Sequence, residues 1–297
     1  AYRGTLLFGC RNGRVYCLRA KDGTLAWSLH APPRRRLVMS HDRVESAWPV
    51  HGSVLVHEGT AYFAAGRSSY LDGGIHLFGV DPFSGEVRNH TVVNSRDPET
   101  GIQPRGVVDG FTLKRGALPD ILSAQHGDLF MRHKRFTDEL EELPQQQPHL
   151  YAPAGFLNDD WWHRTYWQYG ASMGGGYHGW HLAGNRNPAG RLLVVDDARI
   201  YGYGRDAYDK RQGGHPGGRG PNYRLFGQVR QEEAGNDNPV QGKAWSFDLP
   251  FHVRTMVLAG DTLCVAGPES LKALDSPSGR SAGNAPSRLW TIEGSDG

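Results

Sequence analysis

Residues 5–18 read TLLFGC-RNG-RVYCL, and this stretch decides the fold. Two runs of aliphatic, aromatic and β-branched residues flank Asn12-Gly13, the strongest short-range signal for an antiparallel hairpin. With a two-residue turn, Cys10 is expected opposite Val15 and Cys17 opposite Phe8. The two thiols would then share a face diagonally, out of reach of a disulfide.

The design recurs outward from there. Residues 53–64 read SVLVH-EG-TAYFA, 121–132 ILSAQ-HG-DLFMR, 191–202 RLLVV-DD-ARIYG and 255–266 TMVLA-GD-TLCVA. Five hairpins of one design are an internal repeat. A second element follows three of them: residues 18–27 (LRAKDGTLAW), 80–86 (VDPFSGE) and 274–280 (LDSPSGR) each lead a strand through a polar turn ending in Gly. The unit is strand, turn, strand, turn, strand. One such sheet cannot bury both of its faces, whereas radial stacking of several does. Helical periodicity is nearly absent. The best helical candidate, 136–143, is short, acidic and stopped by Pro144.

Composition agrees and narrows the function. The 297 residues hold 40 Gly and 18 Pro, as a turn-rich β protein requires, and 8 Trp, 12 Tyr and 11 Phe, as a packed core requires. A net charge of +2 argues against a nucleic-acid partner, which calls for a basic stripe or domain-wide excess. No run approaches the ~20 apolar residues of a membrane helix. The three cysteines, Cys10, Cys17 and Cys264, form no disulfide framework and read as small buried hydrophobes.

The turn motif at 18–27, with Gly23 and Trp27, resembles the consensus of pyrroloquinoline-quinone (PQQ)-type propeller blades, in which the Trp docks between neighbours. Residues 80–86 share Asp81 and Gly85, with Asn89 in place of Trp; 274–280 share Asp275 and Gly279, with Trp290 arriving late. The chain thus resembles PQQ-binding-like propeller repeat proteins, which include quinoprotein alcohol dehydrogenases and the outer-membrane assembly lipoprotein BamB. The resemblance implies an all-β fold, a β-propeller of four-stranded antiparallel blades. Complete members have about seven or eight, against about five units legible here. It also implies a periplasmic or extracellular location. The expected organisation is one propeller domain over 1–297, continued at both ends or completed by another chain, with an aromatic, Gly-rich insertion at 151–223.

Three clusters are candidates for chemistry. The densest is 158–167, NDDWWHRTYW. If extended, it places Asp160, Trp162, Arg164 and Tyr166 on one face and His163 on the other. With Trp167, such groups suit flat ligands such as sugars or quinones, or pack between blades. The second is 66–74, GRSSYLDGG, where Arg67, Tyr70 and Asp72 would line a channel mouth, while Gly73 and Gly74 serve a tight turn. The third is 46–53, SAWPVHGS, where His51 is a candidate base or a structural histidine.

Two classes of function follow. The first is a non-catalytic module that binds a glycan, a quinone or a protein partner. The second is an enzyme. A PQQ-dependent dehydrogenase would use PQQ with Ca²⁺, but this chain lacks the adjacent cysteine pair of known members. A polysaccharide lyase would need a cation beside the uronate and a base such as His51, His163 or Tyr166. His178 and His181 lack further ligands at ordinary zinc spacing, so no metal site is expected.

Overall fold

The computed structural model describes residues 1–40, 42–51, 54–102, 108–109, 112–113, 116–144, 147–152, 166–171, 183–184, 186–205, 223–230, 244–269 and 287–293. Among them there is no helix. The first sheet is β1 (Thr5–Gly9), β2 (Arg14–Arg19) and β3 (Leu25–His30), followed by a ribbon of β4 (Leu37–Ser40) and β5 (Arg43–Ser46). The second sheet is β6 (Leu55–His57), β7 (Thr60–Ala65), β8 (Ile75–Val80) and β9 (Val87–Val93), followed by a ribbon of β10 (Val108–Asp109) and β11 (Thr112–Leu113). The third holds β12 (Ser123–Gln125), β13 (Asp128–Met131), β14 (Lys134–Phe136) and β15 (Glu142–Leu143); the fourth holds β16 (His149–Tyr151), β17 (Trp167–Gly170) and β18 (Ala189–Gly190). The fifth comprises β19 (Leu192–Val195), β20 (Arg199–Gly204), β21 (Arg224–Val229) and β22 (Trp245–Phe247), and the sixth β23 (Thr255–Ala259), β24 (Thr262–Pro268) and β25 (Ser287–Glu293).

Every one of these six sheets is an up-and-down antiparallel meander in chain order, the way propeller blades are built. The first strands converge: β12 lies beside β16, and β19 beside β23. First strands are therefore the inner strands.

The cores lie between sheets. All six residues of β7 are buried because its alternating side chains serve two neighbours. Ala61, Phe63 and Ala65 join Val15, Trp48, Val50 and Val80 against the first sheet. Tyr62 and Ala64 join Leu77, Leu129, Met131 and Phe136 against the third. A further core of Tyr203, Leu225, Val253, Leu263 and Val265 joins the fifth and sixth sheets. This explains why TAYFAA is continuously apolar rather than alternating.

The hairpin turns carry the repeat. Glu58-Gly59 (φ 45° and 77°) and His126-Gly127 (φ 53° and 84°) are two-residue turns with both residues left-handed, and the flanking pairs are His57 with Thr60 and Gln125 with Asp128. The first hairpin differs from expectation. Gly9 pairs with Val15 and Leu7 with Cys17, one residue off the two-residue register. Arg11-Asn12-Gly13 forms a three-residue loop: Gly13 N–H donates to Cys10 O at 3.0 Å, and Gly13 sits at φ 84°. The slip sends Cys10 and Cys17 to opposite faces. Cys17 is buried, Cys10 and Cys264 are partly buried, and all three are free. In the fifth sheet the turn centre also moves by one, because Asp196 N–H pairs with Arg199 O at 3.0 Å and the Asp196 carboxylate caps Ala198 and Arg199 N–H.

The best helical candidate, 136–143, is the end of β14, a turn and β15. Thr137 N–H bonds Glu141 O at 2.9 Å and Leu140 bends back at φ 68°. Phe136 and Leu140 reach the same core through this turn, mimicking helical spacing.

The polar turns of the first two sheets superpose bond for bond. Arg19 and Asp81 donate N–H to Thr24 O and Glu86 O, and Gly23 and Gly85 donate back to Arg19 O and Asp81 O. Both sheets carry a bulge at the same place, Cys17/Leu18 and Gly79/Val80. The motif has a further copy that the sequence reading passed over. Asp97-Pro98-Glu99-Thr100-Gly101 matches Asp81-Pro82-Phe83-Ser84-Gly85, and Asp97 caps Glu99 and Thr100 as Asp81 caps Phe83 and Ser84. These caps hold both carboxyls below the usual carboxylate range, led by the N–H of Ser84 for Asp81 and of Thr100 for Asp97.

Candidate functional site

A cavity of about 370 Å³ opens where four inner strands meet. Its walls include His57 at the end of β6, Gln125 and His126 at the end of β12, His149 on β16, Asp197 after β19, and Arg230 after β21. Two of these wall residues, His57 and Gln125, are the same position of the repeat, the last residue before the first hairpin turn. The left-handed turn residues that follow them hold the backbone so that the second and third sheets deliver polar side chains to one spot.

Arg230 is the centre of the arrangement. It is buried, and its partners are mostly neutral. One terminal nitrogen donates to the Asp196 carbonyl at 2.7 Å, the other to His126 Nε2 at 2.7 Å, and the guanidinium lies 5.5 Å from the Tyr169 ring centroid. Because Arg230 donates, His126 Nε2 accepts and the ring proton sits on Nδ1. Among the described residues the carboxylate beside it is that of Asp197 at 3.8 Å, on a side chain wholly in solvent. A surface pair of that kind compensates little. Among the described residues Arg230 Nε, sealed from solvent, has no hydrogen-bond partner, and neither has His57 Nε2. Each such group costs about 1–3 kcal/mol while it stays unsatisfied.

The rest of the wall is fixed. Gln125 Nε2 donates to Pro148 O at 2.7 Å. His149, stacked on Phe130 with centroids 4.3 Å apart, places its ring nitrogens at Arg132 O (2.5 Å) and Gln147 O (3.2 Å). Burial pushes its pKa down, against the pull of those carbonyls. Behind it, Tyr151 OH donates to Gln168 Oε1 at 3.1 Å and Asn187 Nδ2 donates to both, a buried network that orders the fourth sheet.

Among the described residues, those singled out in sequence do not line this cavity. Asp72 joins Arg67 and Arg36: its two oxygens lie 2.5 Å from Arg67 Nη2 and 2.7 Å from Arg36 Nη1. Tyr70 turns away and lies on Gly116, and its carbonyl accepts from Arg96 Nε at 2.7 Å. Gly73 and Gly74 occupy φ 89° and 111°, which accounts for both glycines. His51 is partly buried beside Val50, whose backbone bridges Ala65, and Trp48 is a core residue. Tyr166 is buried, and burial pushes its phenol up; Trp167 opens β17 and pairs with Gly190. Asp160, Trp162, His163 and Arg164, with His178 and His181, lie outside the described residues. Among the described residues no group of three or more His, Cys, Asp or Glu is placed to hold a metal ion.

The sequence reading missed His57, Gln125, His126 and Arg230. Aligning the hairpin repeats would have flagged the first three, since each stands at the same turn.

No family model and no curated protein matches this sequence. Solved structures similar to it include BamB from Moraxella catarrhalis, at 11% identity over 90% of this chain and 80% of that one, with a TM-score of 0.34. Another is a protein of unknown function from Bacteroides caccae, at 12% identity over 99% and 80%, with a TM-score of 0.32. The fold assignment rests on the strand order and the cores between sheets. No helix among the described residues is long and apolar enough to cross a membrane.

Proposed function

We propose that this chain is a binding propeller, not a catalyst, and that it takes an anionic group of its ligand into the inner-strand cavity against Arg230. The observation that carries this reading is a buried guanidinium whose one carboxylate neighbour among the described residues, Asp197, is out in solvent. A carboxylate entering the cavity would accept from Arg230, with His57 and His126 at the rim. Charge-assisted bonds of this kind are about twice as strong as neutral ones. A cavity of about 370 Å³ suits a small ligand or one sugar unit of a longer glycan. An acidic glycan in the periplasm or outside the cell is the ligand class we favour.

The reading against catalysis rests on the side chains, of which His126, beside the cation, already accepts from Arg230 through Nε2. A lyase needs a base near neutrality beside the cation. Tyr166 is buried with its phenol pushed up, and His149 is engaged by two carbonyls.

Titration calorimetry with galacturonate and its short oligomers tests the proposal. Saturable binding, reduced about tenfold or more in Arg230→Gln, is the expected result. Binding that persists unchanged in Arg230→Gln would overturn it. Saturable binding of PQQ that requires Ca²⁺ would instead support a quinoprotein role, and an unsaturated product would support a lyase.

A further inference from the structure

The ribbon of β4 and β5 follows the first sheet and has two unlike faces. Met39 pairs with Val44, and Leu37 stands two residues before Met39, so these three side chains share one face. They are exposed, Met39 to 72%, Val44 to 63% and Leu37 to 55%. The other face turns inward. There Val38 packs on the core of the first and second sheets, and Glu45, opposite it, is buried. The ribbon is fixed at its base. Ser46 N–H donates to Arg11 O and Ala47 N–H to Arg36 O, each at 2.9 Å. Arg36 also reaches the loop between β7 and β8, where its Nη1 lies 2.7 Å from Asp72 Oδ1. That loop brings a further exposed apolar residue, Leu71, beside the ribbon.

Single exposed apolar residues are ordinary on a protein surface, but several on one face of a fixed ribbon form a patch that marks a contact. The charge around the patch says of what kind. Residues 34–46 hold Arg34, Arg35, Arg36 and Arg43 against Asp42 and Glu45, and so carry by themselves +2, the net charge of the whole chain. Glu45 faces inward, near Arg11. Arg34, Arg35 and Arg43 are exposed and form no ion pair among the described residues. The Arg34 guanidinium lies 6.0 Å from the Trp48 ring centroid, which sets its charge at the surface. We infer that this ribbon docks on an anionic lipid surface. Leu37, Met39 and Val44 enter the boundary between headgroups and acyl chains, and the arginines rest among the phosphates. A few apolar side chains on a two-stranded ribbon fall short of the ~800 Å² that each partner buries in a stable protein complex. A lipid surface needs only shallow apolar insertion joined to charge attraction.

The placement is compatible with the cavity. β7 runs from the turn at Glu58-Gly59, next to His57 in the cavity wall, to the loop that Arg36 holds. The two features therefore lie at opposite ends of β7, separated by about 17–20 Å of strand. A chain held to lipid by its ribbon keeps the cavity end away from the surface, open to a soluble ligand. The docking does not depend on which ligand that is.

The experiment is flotation of the whole chain with vesicles of phosphatidylcholine alone and of phosphatidylcholine mixed with phosphatidylglycerol. Flotation with the mixed vesicles and not with the neutral ones is expected, falling as salt rises. Arg35→Gln and Arg43→Gln should each weaken it about fivefold. Met39→Asp/Val44→Asp should abolish it, because carboxylates are repelled by the lipid phosphates and resist leaving water. All four side chains are exposed, so none of these changes should move the melting temperature. Arg230→Gln should float as the parent does. Failure to float with the mixed vesicles, equal flotation with both kinds, or flotation that Met39→Asp/Val44→Asp leaves intact would overturn the inference. Capture of the chain by polyglutamate without flotation would assign the patch to an acidic protein and overturn the lipid surface.

Discussion

The indole of Trp27, in the first sheet, lies on the backbone of Gly85, in the second. Its Nε1–H donates to Pro82 O at 3.2 Å, and a Cβ at Gly85 would stand 2.7 Å from the ring. One sheet therefore recognises the next through a large side chain on a bare turn. Asn89, the matching residue of the second sheet, repeats the contact with a smaller group, donating to Asp138 O in the turn of the third at 2.9 Å.

This pair should be energetically coupled. Gly85→Ala meets both a φ of 76° and the indole, and should cost about 2 kcal/mol or more. Trp27→Ala, at a half-buried site, should cost about 2 kcal/mol. In the double variant the penalties should sum to less than their total by about 1 kcal/mol, measured by urea unfolding. Strict additivity would mean that the ring does not feel the turn.

The thiols should react in order. Burial pushes the Cys17 thiol up, opposed by its bond with Thr5, and its sulfur lies 3.6 Å from Pro82 O beneath Trp27. Two of the three thiols, Cys10 and Cys264, should react with a disulfide reagent well before the third. Trp27→Ala should speed the slow one. Uniform rates in the native protein would refute the packing.

Acid should weaken the fold through His133. It follows Arg132 in the turn between β13 and β14, both ring nitrogens are sealed from solvent, and burial lowers its pKa from 6.5 to about 4. The unfolded chain binds the proton more readily, so stability is full above about pH 6.5 and declines as pH falls toward 4. The loss is on the order of 3 kcal/mol from this group. In His133→Leu, the decline between those values should flatten in pH-dependent thermal unfolding.

Arg230 should trade stability for function. Its charge is buried with an unsatisfied Nε. Arg230→Met should leave the melting temperature unchanged or raise it while abolishing binding in the inner-strand cavity. A drop of several degrees with binding retained would make Arg230 a structural residue.

The local elements were legible in the chain itself. Asn12-Gly13, Glu58-Gly59 and His126-Gly127 announce hairpins because few residues tolerate left-handed backbone, and turn chemistry acts over four residues. Asp81 to Gly85 fixes its own turn through bonds within five residues. From such units, repeated, an all-β stack of sheets follows. Register was less secure: one residue more in the loop at Arg11 moved Cys10 to the other face, since nothing local distinguishes a two-residue turn from a three-residue one. The cavity was beyond local reading altogether. Its His57, His126 and Arg230 stand far apart in sequence and meet because four inner strands converge. Where charges gather, which go unpaired and which tyrosines lose water are properties of that convergence. They arise from long-range packing between sheets, which no window of neighbouring residues contains.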